Sequence, residues 1–280
     1  GLRYVIAHEV GHSLGLRHNM GASAAFPVDS LRSASFTRKY GTTPSIMDYA
    51  RFNYVAQPED VGVKLSPPQL GVYDRYAIKW AYKPIPEAET EYDEIAQLNK
   101  WIIEKHGDAN YYFGEGDFNG RDPGSLRESL GDDVVKASEY GMKNSRYIMN
   151  HFKDWLTEEG KGYDQMEDLY LAVLTQSNRY MSHVGKLIGG VYLRRPMQGQ
   201  SEAMYQYVPK KKQQEAVKFL INEMRSFHQW MEVKNLKSKL VIKEKRGSIN
   251  MILTPSTFIE RWYKRNLRSN LINDGKLMPL

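Results

Sequence analysis

The chain has 280 residues, 41% of them hydrophobic, with 39 Lys and Arg against 33 Asp and Glu for a net charge of +6 at pH 7. That is enough apolar material for one large core or two smaller ones. The absence of cysteine excludes a disulfide framework, a thiolate metal site and a cysteine nucleophile, and no apolar run reaches the roughly 18 residues of a membrane span.

Leu2, Val5, Ile6, Val10 and Leu14 recur at helical spacing, which predicts a helix over 2–14 with Gly15 as its stop. Residues 19–46, rich in Ser, Ala, Gly and Pro, read as loop. Ser66, Pro67 and Gln69 have the pattern of a capped helix start, and Leu70, Tyr73, Asp74, Ala77, Ile78 and Ala81 continue it at helical period. KPIPEAET (83–90) reads as a linker. Beyond it the pattern is helical over 91–105, 132–158, 164–187, 210–231 and 255–272, with Asp132 and Asp133 suiting a helix start. Residues 189–208 read as a strand pair around a polar turn. The expected class is mainly α, with residues 1–83 and 84–280 as two domains.

The chemistry concentrates in AHEVGHSLGLRHN (7–19). Residues four apart on a helix share a face, with Cβ atoms about 5–6 Å apart, so His8 and His12 can hold one Zn²⁺ between them. Glu9 is poorly placed as a ligand and well placed to take a proton from water at the metal. A third ligand is needed if one position is to stay open. The first glutamate after His12 is Glu59, in a Pro-flanked stretch without helical period. His18 is nearer, because Gly15 can turn the chain back toward the metal.

HEVGHSLGLRH fits H-E-x-x-H-x-x-G-x-x-H and so resembles the metzincin zinc metallopeptidases. SIMDY (45–49) is similar to their Met-turn, with Met47 as the turn methionine and Tyr49 where some metzincins set a tyrosine beside zinc. LSPPQLGVYDRYAIKWAY (65–82) resembles the helix that closes their catalytic domains. The resemblance implies His8, His12 and His18 as zinc ligands, Glu9 as general base, Tyr49 as extra ligand or oxyanion donor, and Met47 packed under the ligands. It implies a protein or peptide substrate. Over residues 83–280 the chain is similar to the helical region of large predicted bacterial secreted metalloproteases, which implies a periplasmic or secreted location. Asn19, after the third histidine, is none of the Asp, Glu, Ser or Pro common there.

In metzincins a β-sheet precedes the zinc helix, making the whole α+β, and its edge strand binds substrate. The expectation is therefore a C-terminal half of such a domain with little or no activity alone. Its apolar stripe Leu2, Val5 and Ile6 would bury against another copy or against the helical domain. Two other classes stay open: a zinc-stabilised binding module, and a nucleic-acid-binding surface over 205–270 carried by Lys210, Lys211, Lys212 and KNLKSKLVIKEKR (234–246). The interspersed acids favour a plain solvated basic face, and no nucleic-acid partner is expected. Asp117, Asn119 and Asp122 are close together as in a calcium loop, but a plain turn-rich loop is the favoured reading, since the glycine sits in the wrong position for an EF-hand and no bidentate Glu follows. His106, His151, His183 and His228 are scattered and expected to be structural.

Overall fold

The computed structural model describes residues 1–116 and 122–232. The fold is mainly α: α1 (Leu2–Ser13), α2 (Ala34–Tyr40), α3 (Val72–Tyr82), α4 (Glu91–Ile103), α5 (Val134–Leu156), α6 (Asp164–Gly185) and α7 (Lys210–Met231), with strands β1 (Val191–Leu193) and β2 (Tyr205–Tyr207) paired as one two-stranded sheet. No helix among the described residues is long and apolar enough to cross a membrane. The helix expected over 255–272, the basic stretch 234–246, Asp117 and Asn119 lie outside the described residues.

The chain divides into two compact units. The first comprises Gly1–Ala137 and Tyr192–Gln206. Much of its core comes from the segment between α1 and α3, where Met20, Phe26, Val28, Leu31, Ile46, Met47 and Val55 are buried. This segment is not bare loop. It carries 3₁₀ turns at Met20–Ala25 and Val28–Arg32, and α2, whose Ser33 Oγ accepts the Phe36 amide. Irregular backbone can be buried here because side chains complete its hydrogen bonds. Asn53 Nδ2 donates to the Leu31 carbonyl at 2.7 Å, and Arg32 grips Asp60 through two bonds of 2.6 and 2.7 Å.

Helix α3 begins at Val72, not at Pro67. Pro68 disfavours helical backbone at the residue before it, so Ser66-Pro67 cannot open the helix. The cap is instead Asp74, whose Oδ2 accepts the Gly71 amide at 2.8 Å. Helix α4 starts where expected, with Asp93 accepting from Thr90 N and Oγ1 at 2.9 and 2.8 Å. It lies on α3 through Trp80 Nε1, which donates to the Leu98 carbonyl at 3.3 Å. Asp132 and Asp133 mark a helix start as the sequence indicates: Asp133 accepts the Val135 and Lys136 amides at 3.1 Å, while Asp132 accepts Val28 N at 3.0 Å.

The second unit comprises Ser138–Val191 and Tyr207–Leu280. Its core packs Met149, Phe152, Met166, Tyr170, Val173, Leu174 and Met231 from α5, α6 and α7. Arg146 joins α5 to α7 by an ion pair to Glu223 and lies over the Trp230 ring, 5.2 Å from its centroid.

Candidate metal centre

The apolar stripe of α1 is not the face it buries. Leu2, Val5, Ile6, Val10 and Leu14 are all exposed, Leu2 at 76%, whereas His8 and Gly11 are buried. The helix docks instead by its histidine face, onto the turn at residues 45–49.

That docking is close. A β-carbon at Gly11 would overlap the Met47 sulfur, so glycine at this position lets the helix settle onto the turn. Met47 is fully buried there. Its thioether lies against Gly11.

Gly15 ends α1 with φ +82°, a conformation in which a side chain would be strained. The amides of Gly15 and Leu16 turn back onto the carbonyls of His12 and Gly11 at 2.9 and 3.0 Å, which makes the pair of bonds of a Schellman motif. The Leu16 carbonyl then accepts from His12 Nδ1 at 2.8 Å. The turn that stops the helix thus also orients a histidine, and it sends His18 back toward α1.

His8 Nδ1 lies 2.8 Å from the Ile46 carbonyl. A carbonyl can only accept, so Nδ1 carries the proton in both His8 and His12 and each Nε2 presents a lone pair. His8 Nε2 is buried with no hydrogen-bond partner. His12 Nε2 and His18 Nε2 are 3.0 Å apart, and one nitrogen from each of the three histidines falls within 4.8 Å of the others. The Nε2 lone pairs of His8 and His12 thus face one space, with His18 Nε2 beside them. The donor set of three imidazoles, one with an orphaned buried nitrogen, fits a divalent zinc ion. The His18 pKa is lowered, first by burial and then by His12, His8 and Arg127, which favours the neutral form that binds metal.

Asp74 supports this arrangement from α3. Its Oδ2 accepts the Ile46 amide at 2.8 Å and its Oδ1 accepts Ser45 Oγ at 2.7 Å. The residue whose carbonyl holds His8 is thereby fixed through its own amide. Tyr49 stacks on His8 with ring centroids 5.3 Å apart and lies 4.5 Å from His18. Glu9 is exposed, one residue beyond His8.

A profile of the Met-zincin family matches residues 1–277. The chain belongs to the Met-zincin family. No match was found among curated proteins or among solved structures. A Met-zincin implies zinc and a metallopeptidase-type protein, and His8, His12 and His18 are the group in this Met-zincin that could hold the ion.

Several further residues have contacts that only the structure shows. Asn19 is fully buried, its Nδ2 donating to the Tyr112 carbonyl and its Oδ1 accepting the Gly114 amide, both at 2.9 Å. Its amide N–H donates to the Met47 carbonyl at 3.0 Å. It ties the third-histidine segment both to the Met-turn and to a strand of chain some ninety residues on, and no local pattern could reveal that. Arg127 lies over the Tyr49 ring, 5.4 Å from its centroid. Asp122 is buried and accepts the Gly124 amide at 2.7 Å. His106 pairs with Glu202 at 3.1 Å, and His151 Nδ1 bonds the Tyr147 carbonyl at 2.8 Å.

Proposed function

We propose that this Met-zincin is a zinc peptidase in which His8, His12 and His18 hold the metal, Glu9 moves the proton and Tyr49 steadies the carbonyl oxygen. The observation that carries the reading is the convergence of three histidine nitrogens, two with tautomers fixed by backbone carbonyls. Zinc bound there supplies a Lewis acid that acidifies water and polarises a carbonyl.

Glu9 takes a proton from the attacking water and delivers it to the leaving amine nitrogen as the C–N bond breaks. Its exposure on the helix beside His8 supports this role. Tyr49 donates its O–H to the carbonyl oxygen as charge builds there; its ring contacts with His8 and His18 support that assignment. The substrate is a peptide, and an extracytoplasmic location belongs to the same reading. Turnover by the 280-residue chain is slow, because the one sheet among the described residues is a ribbon of three-residue strands and a substrate strand gains little positioning from it.

The test is zinc-loaded protein incubated at high concentration with casein and with quenched peptides, cleavage being read by mass spectrometry. Cleavage should vanish with chelator, return with zinc, and fall by roughly 10²–10⁴ in Glu9→Gln. A zinc-loaded protein that cuts nothing, or a Glu9→Gln variant that cuts as well, overturns the reading.

A further inference from the structure

We infer that Tyr4 is a positioning residue: through the carbonyl of Asp48 it holds Tyr49 beside the histidines of the metal centre. This rests on the peptidase reading above, in which Tyr49 steadies the carbonyl oxygen.

Tyr4 precedes His8 by four residues on α1, so the two side chains leave the helix on one face. The Tyr4 ring tilts against the His8 ring, with centroids 5.7 Å apart. Its hydroxyl reaches the Met-turn and donates to the Asp48 carbonyl at 2.6 Å. Burial, and then the Asp48 carboxyl beside it, raise the Tyr4 pKa well above its usual value. The phenol therefore keeps its proton, and with it the donor role, well into alkali.

That carbonyl belongs to the peptide unit leading into Tyr49. The N–H of the same unit, the Tyr49 amide, faces the Asp48 carboxyl. The next amide, that of Ala50, donates to Asp48 Oδ1 at 3.1 Å. Ser23 Oγ donates to Asp48 Oδ2 at 2.6 Å. Asp48 and Ala50 are buried, while Tyr49 between them is partly exposed. The backbone on both sides of Tyr49 is thus fixed, and its ring is the part turned to the site. The ring lies 5.3 Å from that of His8, inclined by only 17°, and 4.5 Å from that of His18.

Two side chains grip Asp48 from outside the Met-turn, and each belongs to a segment tied to the histidines. Tyr4 lies on the helix of His8 and His12. Ser23 lies in the 3₁₀ turn Met20–Ala25, which follows His18. Tyr49 is therefore registered to the three histidines and not to its own turn alone. Misplacing a reacting group by about 1 Å can cost on the order of 10²-fold in rate. A hydroxyl one helical turn from His8 thus governs the reaction without touching substrate.

The experiment has a spectroscopic arm that stands apart from turnover. Fluorotyrosine is placed at residue 49, with a second preparation labelled at exposed Tyr205 as reference, and fluorine NMR is recorded with and without zinc. The imidazole rings of His8 and His18 shift the residue-49 line away from that of free tyrosine. Tyr4→Phe keeps a ring against His8 and removes only the hydroxyl. It should move the residue-49 line toward the free position or broaden it, and leave the Tyr205 line in place. Ser23→Ala should act the same way from the other anchor. In the kinetic arm, quenched-peptide cleavage is measured for the parent, Tyr4→Phe, Tyr49→Phe and the double variant at equal zinc content. Tyr4→Phe should lower kcat by about 10-fold or more with KM nearly unchanged. Tyr49→Phe should lower it further, and adding Tyr4→Phe to Tyr49→Phe should cost little more. An unmoved residue-49 line in Tyr4→Phe, an unchanged kcat, or a full further loss in the Tyr49→Phe background overturns the inference. A moved line with no cleavage by any of the four proteins overturns the peptidase reading and upholds the placement of Tyr49 by Tyr4.

Discussion

Gly11 and Met47 touch so closely that the space a β-carbon would need at residue 11 is filled by the Met47 sulfur. The zinc helix and the Met-turn are fitted to each other at this point. Gly11→Ala should destabilise the protein by about 1–3 kcal/mol through overpacking and weaken zinc binding with it. Met47→Ala should relieve the clash, so the double variant should be less damaged than the two single changes sum to. Urea denaturation of the four proteins measures this; strict additivity would mean that the two residues do not meet.

Asp74 acts on His8 through one residue, holding the Ile46 amide while the Ile46 carbonyl holds His8 Nδ1. Asp74→Ala leaves Ser45 Oγ and the Ile46 and Gly71 amides without their acceptor. Each buried unmet donor costs about 1–3 kcal/mol, and loss of such outer support lowers metal affinity about 10–100-fold. Competition with a fluorescent chelator reads the affinity, and it should fall even in molecules that remain folded. An unchanged zinc affinity in folded Asp74→Ala would break the proposed chain of support.

The histidine spacing was fully legible in the sequence, because helical period and metal chemistry both act over a few residues. The starts of α4 and α5 were legible for the same reason: Thr90 with Asp93, and Asp133, are local caps. The start of α3 was misread because two prolines resemble a helix opening from one side and forbid it from the other. The face α1 buries, the one with His8 and Gly11, was not visible in its apolar stripe. Metal ligands and a glycine carry no hydrophobic signal. Asn19 and Arg127 owe their roles to contacts with residues far along the chain, and nothing near either residue encodes those partners.

Asn19 must be an amide and not an acid. It gives a hydrogen to the Tyr112 carbonyl and takes one from the Gly114 amide. Asn19→Asp sets a carboxylate oxygen against the Tyr112 carbonyl with no hydrogen between them, at a cost of about 1–3 kcal/mol. Thermal unfolding should show the loss at neutral pH and a partial recovery in acid, as the carboxyl regains a proton. An Asn19→Asp protein as stable as the parent at pH 7 would contradict these contacts.

Asp48 links stability to pH. Burial raises its pKa from 3.8 to about 8, against hydrogen bonds from Ser23 Oγ at 2.6 Å and the Ala50 amide at 3.1 Å. A folded pKa above the unfolded one means stability that is fully present below about pH 4 and is lost as pH rises through about 8. Relative to Asp48→Asn, the parent should therefore lose stability across that window and level off above it. Denaturant midpoints of the two proteins at matched pH give the difference, and a flat or rising difference would contradict the burial of a protonated carboxyl.

The three-histidine centre is tested most directly by the zinc content of the protein after exhaustive dialysis, measured by elemental analysis. About one zinc per chain is expected in the parent and in Glu9→Gln, and close to none in His18→Ala. Full zinc retention by His18→Ala, or an empty Glu9→Gln protein, would contradict it.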